Sequence, residues 1–361
     1  MIKPILTADA LAERVFSAAL GTFDIFAIHI GDQLGFYRAL GNGEAMTSAE
    51  LAASTRTNER STREWLEQQG VSGMIVCENP ADDALARRYI LPSEYHELFL
   101  EPDSLATITP IAQIVVGAVH PIDQLIEAFR DNGGVPYEDY GVNLAEGQAR
   151  FNRPMLRSQL VQEWIPALPD IAERFASDPP ARMADIGMGY GWSSIALAQA
   201  FPKILVDGYD LDEASVVAAT ALAADEQVSD RVTFHFRDAG DKELQGRYDL
   251  ALAVECIHDM SDPVSVLSAM RRLVGPGGTV LIVDEKVPDD YSAPGTDADR
   301  YYYGFSVLHC LPVGLVDQPS VGTGTVIRQA TMRDYAQQAG FQSVEVLPVE
   351  HDFFNLYRMT A

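Results

Sequence analysis

The chain has 361 residues, enough for two domains, and its 47% hydrophobic and 22% charged content is that of a core-forming globular protein. Fifty-two acidic against 26 basic residues leave a net charge of −26, a surface that repels phosphate backbones and acidic membranes and argues against nucleic acid as a general partner. No run approaches the ~20 consecutive apolar residues of a membrane span, the first residues lack a secretory pattern, and three scattered cysteines (Cys77, Cys256, Cys310) suit neither a disulfide framework nor a zinc site, so the composition predicts a soluble, cytoplasmic protein.

The stretch LAERVFSAALGTFDIFAIHIGDQLGFYRAL is apolar almost all round, which predicts buried helices, covered by the rest of the chain or by a partner subunit. MTSAELAASTRTNERSTREWLEQQGVSGMI has the rhythm of a helix-turn-helix. Thr47 and Glu50 form a capping-box start, and the second helix is expected over 58–69, closed by Gly70. IVCENPADDALARRYILP reads as a two-stranded wing around a polar turn. A winged helix suggests DNA binding, but the second helix sets Arg60 and Arg63 against Glu59, Glu64 and Glu67, where a DNA reader gathers cations. A winged helix used for packing and dimerisation fits this composition better. Residues 104–175 read as mostly helical, interrupted by the loop GGVPYEDYG, and SDPPARM serves as a domain boundary.

MADIGMGYGWSSIALAQAFP opens an α/β region. A strand ends at Asp185, Gly187, Gly189 and Gly191 make a tight loop, and a helix starts near Ser193. Glycines allow close approach of backbone to a ligand, and a helix start offers free N–H groups to an anionic moiety. A second strand ends at Asp210-Leu211, a third at Asp238-Ala239, a fourth in VECIHDMSD with Glu255 and His258, and a fifth in LIVDEKV with Glu285. Strands alternating with helices at this spacing imply a parallel, doubly wound sheet, which GFQSVEVLP and FFNLYRMT close as the last two strands. Each acidic strand end, taken singly, is an ordinary turn residue; their order as a set carries the signal.

The Asp-x-Gly-x-Gly-x-Gly loop and this order of strand ends resemble the class I S-adenosylmethionine-dependent methyltransferases. That resemblance implies a Rossmann-like seven-stranded domain that binds S-adenosyl-L-methionine and releases S-adenosyl-L-homocysteine. It implies cofactor contacts from Asp185, Gly187, Gly189, Gly191, Asp210, Leu211, Asp238, Ala239 and Glu255, and no metal. The segment His258-Asp259-Met260-Ser261-Asp262 is similar to the His-Asp-Trp-Ser-Asp motif of small-molecule O-methyltransferases with a winged-helix dimerisation domain. There the histidine deprotonates the acceptor hydroxyl, a role for which an imidazole near pKa 6.5 is suited, and Glu285 matches the acid that orients it. The family's second acid falls at Gln329, and Met260 replaces tryptophan.

TFDIFAIHIGDQLGFYRAL, GGVPYEDYG and ECIHDMSDP are similar to an actinobacterial-type group with winged-helix N-terminal domains. By that likeness Tyr137, Tyr140, Asn152 and Arg153 face the acceptor. Tyr301, Tyr302, Tyr303 and Phe305 are expected to form an aromatic wall in a lid over 288–328 that also carries the pair His309 and Cys310. The expected organisation is a helical winged-helix dimerisation domain over 1–100, a helical linker or cap over 101–176 and a methyltransferase domain over 177–361. The acceptor is a small molecule and the assembly a homodimer. A ligand-sensing DNA-binding regulator, an N- or C-methyltransferase and a non-methylating relative stay open as alternatives.

Overall fold

A computed structural model of the protein describes residues 6–131, 133–275 and 277–360. The chain divides into two compact units, one of residues 1–117 with 146–154 and the other of residues 118–145 with 155–361.

In the first unit a single helix runs over Ala8–Gln33, capped by the Thr7 hydroxyl. The apolar sequence of this helix predicts burial, yet only Ile28 and Gly31 are buried along it, and Val15, Phe16, Leu20, Phe23 and Ile30 are exposed. Apolar residues on all faces report that a surface wants cover; they do not say that the same chain supplies it. The helix Ser48–Thr55 starts with the full Thr47–Glu50 capping box. The next helix, Glu59–Val71, starts at the Asn58 cap and runs through Gly70 to Val71, two residues beyond the expected end at 69, with its cap at Ser72. The wing is short: β1 (Val76–Cys77) pairs antiparallel with β2 (Tyr89–Ile90). Trp65 anchors this unit. Its ring packs on Phe36 and Tyr37, with centroids 4.7 and 5.3 Å away, and its Nε1 donates to the Ala27 carbonyl at 2.8 Å. A Cβ at Gly31 would lie 2.3 Å from the Trp65 ring, so glycine is required there.

The second unit is built on seven strands: β3 (Arg182–Ile186), β4 (Leu205–Asp210), β5 (Val232–Phe236), β6 (Leu250–Val254), β7 (Thr279–Glu285), β8 (Ser343–Val346) and β9 (Phe354–Thr360). Their order is β5-β4-β3-β6-β7-β9-β8, with β9 antiparallel to both β7 and β8 and the other pairs parallel. Strand order reverses between β3 and β6, where ligands of doubly wound sheets gather at the carboxyl ends. β7 is buried along its whole length, as a central strand covered on both faces must be. Between β7 and β8 the helix Asp297–Phe305 passes through a wide π turn at Ser306–Cys310 into the short helix Leu311–Gly314. Among the described residues no helix is long and apolar enough to cross a membrane.

Candidate active site

The glycine loop after β3 is held from behind and from both sides. Asp185 is buried and accepts from the Ser193 and Ser194 hydroxyls at 2.5 and 2.6 Å, tying the strand end to the first turn of the helix Trp192–Ala200. Burial raises its carboxyl to about 6, against the pull of the two hydroxyls. Gly187, Gly189 and Gly191 all have left-handed φ values, of 63°, 52° and 76°. A Cβ at Gly187 would lie 2.8 Å from Cys256 Sγ, and one at Gly191 would lie 2.5 Å from the Phe234 ring. A Cβ at Gly189 would meet nothing within 4 Å. The outer glycines therefore serve packing, and the middle one keeps an open approach to the backbone, which is the cradle a nucleoside sulfonium fits. The Gly189 N–H donates to Asp210 Oδ2 at 2.8 Å, and the Asp212 N–H to Oδ1 at 2.9 Å, so the carboxylate ending β4 is fixed against the loop.

Leu211 is exposed beside Asp210. β5 ends at Phe236, ahead of the expected Asp238, whose carboxylate accepts from the Gly240 N–H at 2.7 Å in the following turn. Ala239 is buried in the sheet core. Glu255, just after β6, is a non-glycine residue at φ 52°, and its N–H donates to the Val283 carbonyl. Such strain persists where the surroundings impose it, and it clusters at functional sites.

His258 sits in the turn Ile257–Asp259 after β6 and is buried. Its Nδ1 lies 2.6 Å from Asp284 Oδ1 and 2.9 Å from Glu285 Oε2, and its Nε2 lies 3.0 Å from Asp259 Oδ1. Burial alone would push the imidazole down, but Glu285, Asp259 and Asp284 outweigh it and hold His258 well above 6.5. The same proton holds Asp259 and Asp284 below the usual carboxylate range despite their burial. Glu285, with Asp284 beside it, is pushed well up by burial. His258 with Asp259 and Cys310, and His258 with Asp284 and Glu285, bring ligand-type atoms within 4.8 Å of one another. Neighbouring ligands at ~2.1 Å from one ion stand about 3 Å or more apart, and the 2.6 Å contact is what a shared proton gives.

The π turn brings a second histidine to this cluster. His309 is buried beside Asp259 and His258, its ring edge-on to Tyr140 at 4.8 Å and to Tyr137 at 5.7 Å. Burial lowers its pKa, so it is neutral where His258 is charged. The Tyr140 hydroxyl donates to the Leu308 carbonyl at 2.9 Å and holds the π turn in place. Burial raises the Tyr137 hydroxyl, with Asp210, Asp212 and Asp259 all close enough to add to it. Tyr137 thus stands between the β4 carboxylate and the His258 turn. Asn152 and Arg153 belong to the first unit, where the Arg153 guanidinium pairs with Asp103 at 2.7 Å.

Of the tyrosine wall expected from residues 301–305, Tyr301 makes ring contacts with Tyr302 and Phe305, and Tyr303 lies apart. Successive residues of a helix point about 100° apart. Tyr301 shares a face with Phe305, centroids 4.8 Å apart, and sits near Glu255 and Glu285. Tyr302 turns inward and donates to the Phe353 carbonyl, while Tyr303 is outside, its hydroxyl accepting from Arg328 at 3.4 Å. Met260 packs beside the loop, its Cε 3.9 Å from a Cβ built at Gly187. Gln329 begins the helix Gln329–Gln338. The residue missed from sequence is Asp284: strand alternation points it away from Glu285, yet at the end of β7 both carboxylates reach His258.

A methyltransferase-domain family matches residues 184–280, and an Rv2258c-like winged HTH domain family matches residues 24–100. The chain is 32% identical over 148 residues to a probable chloroplastic tocopherol O-methyltransferase of Oryza sativa subsp. japonica, covering 38% of this chain and 40% of that one. It is 30% identical over 113 residues to the ajmaline N-methyltransferase of Rauvolfia serpentina, covering 30% and 38%. The chain thus spans about two fifths of the length of these curated relatives. The crystal structure of human N-acetylserotonin methyltransferase in complex with SAM superposes at a TM-score of 0.66, with 15% identity, over 99% of each chain. The chain therefore carries a methyltransferase domain preceded by an Rv2258c-like winged HTH domain, and its fold is that of the class I S-adenosylmethionine-dependent methyltransferases.

Proposed function

We propose that this protein transfers a methyl group from S-adenosylmethionine to a hydroxyl of a small-molecule acceptor, with His258 as the general base. The observation that carries the reading is a buried imidazole at the end of β6, beside the glycine loop, with carboxylates at Nδ1. When bound, the donor supplies an electrophilic methyl and its own leaving group. Gly187, Gly189 and Gly191 would hold its amino-acid end, Asp210 with the exposed Leu211 its ribose, and Asp238 and Ala239 its adenine, with Glu255 alongside. Asp185 acts behind them by fixing the loop.

A hydroxyl is a weak nucleophile until its proton leaves. The neutral imidazole accepts that proton at Nε2, the carboxyl groups of Asp284 and Glu285 at Nδ1 fix the tautomer, and a carboxylate there stabilises the imidazolium. Tyr137 and His309 line the acceptor's place next to Asp259, and Tyr140 supports them from behind. Tyr303 stands further out in this reading. The segment carrying Tyr301 works as a lid that excludes water.

The exposed apolar face of the helix Ala8–Gln33 supports a homodimer formed through the N-terminal unit. In the winged helix Arg60 pairs with Glu64 and Arg63 with Glu59 at 3.2 Å, which favours packing over reading DNA. Three free cysteines suit a cytoplasmic setting.

The test is methyl transfer to a panel of phenols by the wild type and His258→Ala, with S-adenosylhomocysteine binding measured in parallel. Loss of transfer with binding retained is expected. Full transfer by the variant would sink the base assignment.

A further inference from the structure

We propose that Asp284 is the residue that positions His258, and that Glu285, the acid the motif points to, is its protonated neighbour. This rests on the reading of His258 as the base. Four observations favour Asp284. The contact from Asp284 Oδ1 to Nδ1 at 2.6 Å is a directed hydrogen bond, whereas Glu285 Oε2 at 2.9 Å meets the ring without hydrogen-bond geometry. The same Asp284 Oδ1 accepts the Glu285 backbone N–H at 3.0 Å, so one oxygen is held by two donors. Asp284 is completely buried and cannot turn to solvent for another partner.

The fourth observation lies behind it. Asp284 pairs across the sheet with Asn355, and Tyr357, opposite Ile282, lies on the same face. Asn355 Nδ2, the Tyr357 hydroxyl and Asp284 Oδ2 are buried polar atoms that make no directed hydrogen bond, to one another or elsewhere, and Tyr357 feels the Asp284 charge. Unpaired amide and phenol donors on the same face as a buried carboxylate favour its ionised form, because leaving all three unsatisfied is costly. Glu285 has no such backing. Its neighbours are His258, the like-charged Asp284 and, from the lid, Tyr301.

His258 is faced by Cys256 and Asp259 from its own segment, by Asp284 and Glu285 from β7, and by His309 and Cys310 from the π turn. In the resting cluster the imidazolium is balanced by Asp284 on Nδ1 and Asp259 on Nε2, while Glu285 keeps its proton. Asp284→Asn removes the balancing charge, whereas Glu285→Gln replaces a neutral acid with a neutral amide of the same shape.

The deciding measurement is the titration of His258, followed by NMR in histidine-labelled protein with its signal assigned by loss in His258→Gln. Asp284→Asn is expected to lower the His258 titration by roughly 1–3 pH units, the reach of one adjacent charge. Glu285→Gln should lower it least, and Tyr357→Phe by an amount between the two. If transfer to phenols is measurable, Asp284→Asn lowers kcat by roughly 10²–10⁴-fold and Glu285→Gln by under about tenfold. A titration moved by Glu285→Gln and untouched by Asp284→Asn overturns the proposal. Should Asp284→Asn fail to fold, Tyr357→Phe against Glu285→Gln decides in the same way. The titration does not depend on transfer, so a protein inactive on phenols would refute the function while leaving this assignment to stand or fall separately.

Discussion

Alanine at Gly189 and at Gly191 should separate binding from folding, because the two glycines differ in what a methyl group would meet. Both have left-handed φ values, of 52° and 76°, so each alanine carries about 1–2 kcal/mol of backbone strain. At Gly191 the new Cβ would also lie 2.5 Å from the Phe234 ring and 3.2 Å from Ala219 Cβ, where overpacking adds about 1–3 kcal/mol. Gly191→Ala is therefore expected to cost about 2–5 kcal/mol. At roughly 2–4 °C per kcal/mol for a domain of this size, Tm falls by about 4–20 °C. Gly189→Ala meets nothing within 4 Å and should lose only the strain, about 2–8 °C. Its methyl group occupies the approach to the loop, so S-adenosylhomocysteine binding should weaken by tenfold or more, about 1.4 kcal/mol. Thermal unfolding and calorimetric titration of both variants read the two effects. Equal losses of Tm, or a greater loss of affinity in Gly191→Ala than in Gly189→Ala, would refute the division of labour.

Since His258 is held well above 6.5 and a general base must be neutral to accept a proton, the proposed role predicts that kcat/KM on a phenol climbs with pH through an apparent pKa above that value. A rate already level at pH 6 would contradict it. The linked stability runs the other way: the imidazolium stabilises the fold fully below pH 6.5, and that contribution is lost as pH rises through the raised value. Asp185 is raised from 3.8 to about 6, so its ionisation opposes folding, and stability falls from this group as pH rises between those values. Asp185→Asn should remove that slope in urea titrations, and an unchanged slope would show that the carboxyl titrates normally. Phe16→Asp with Phe23→Asp, both on the exposed face of the first helix, should turn a dimer into a monomer in sedimentation velocity, since each buried phenylalanine contributes about 1.5–3 kcal/mol. Unchanged sedimentation would place any dimer interface elsewhere.

What was legible in the sequence is what local chemistry or spacing decides. The Thr47–Glu50 box, the glycine loop and the order of acidic strand ends each depend on a few neighbouring residues; the box and the loop appear where their patterns put them, and the strand ends keep their order although β5 stops at Phe236, short of Asp238. The departures arise where a side chain's partner is remote in sequence. The helix Ala8–Gln33 has a composition that asks for burial, but composition does not say who provides the cover. Tyr301, Tyr302 and Tyr303 read as one aromatic block until helical geometry turns Tyr302 inward and separates Tyr303 from the other two.

Asp284 is the sharpest case. The motif asks for two acids at the histidine and offers Gln329 for the second, which makes the relay look incomplete. The second acid stands one residue before Glu285 and is hidden by strand alternation, which holds along a strand and relaxes at its end. There two carboxyl groups can converge on one imidazole when one member is ionised and the other keeps its proton. Asn355 and Tyr357, seventy residues downstream on an antiparallel neighbour, carry unpaired donors on the same face as Asp284. The His258 site is therefore as much a property of the β7–β9 pairing as of the turn that carries the histidine.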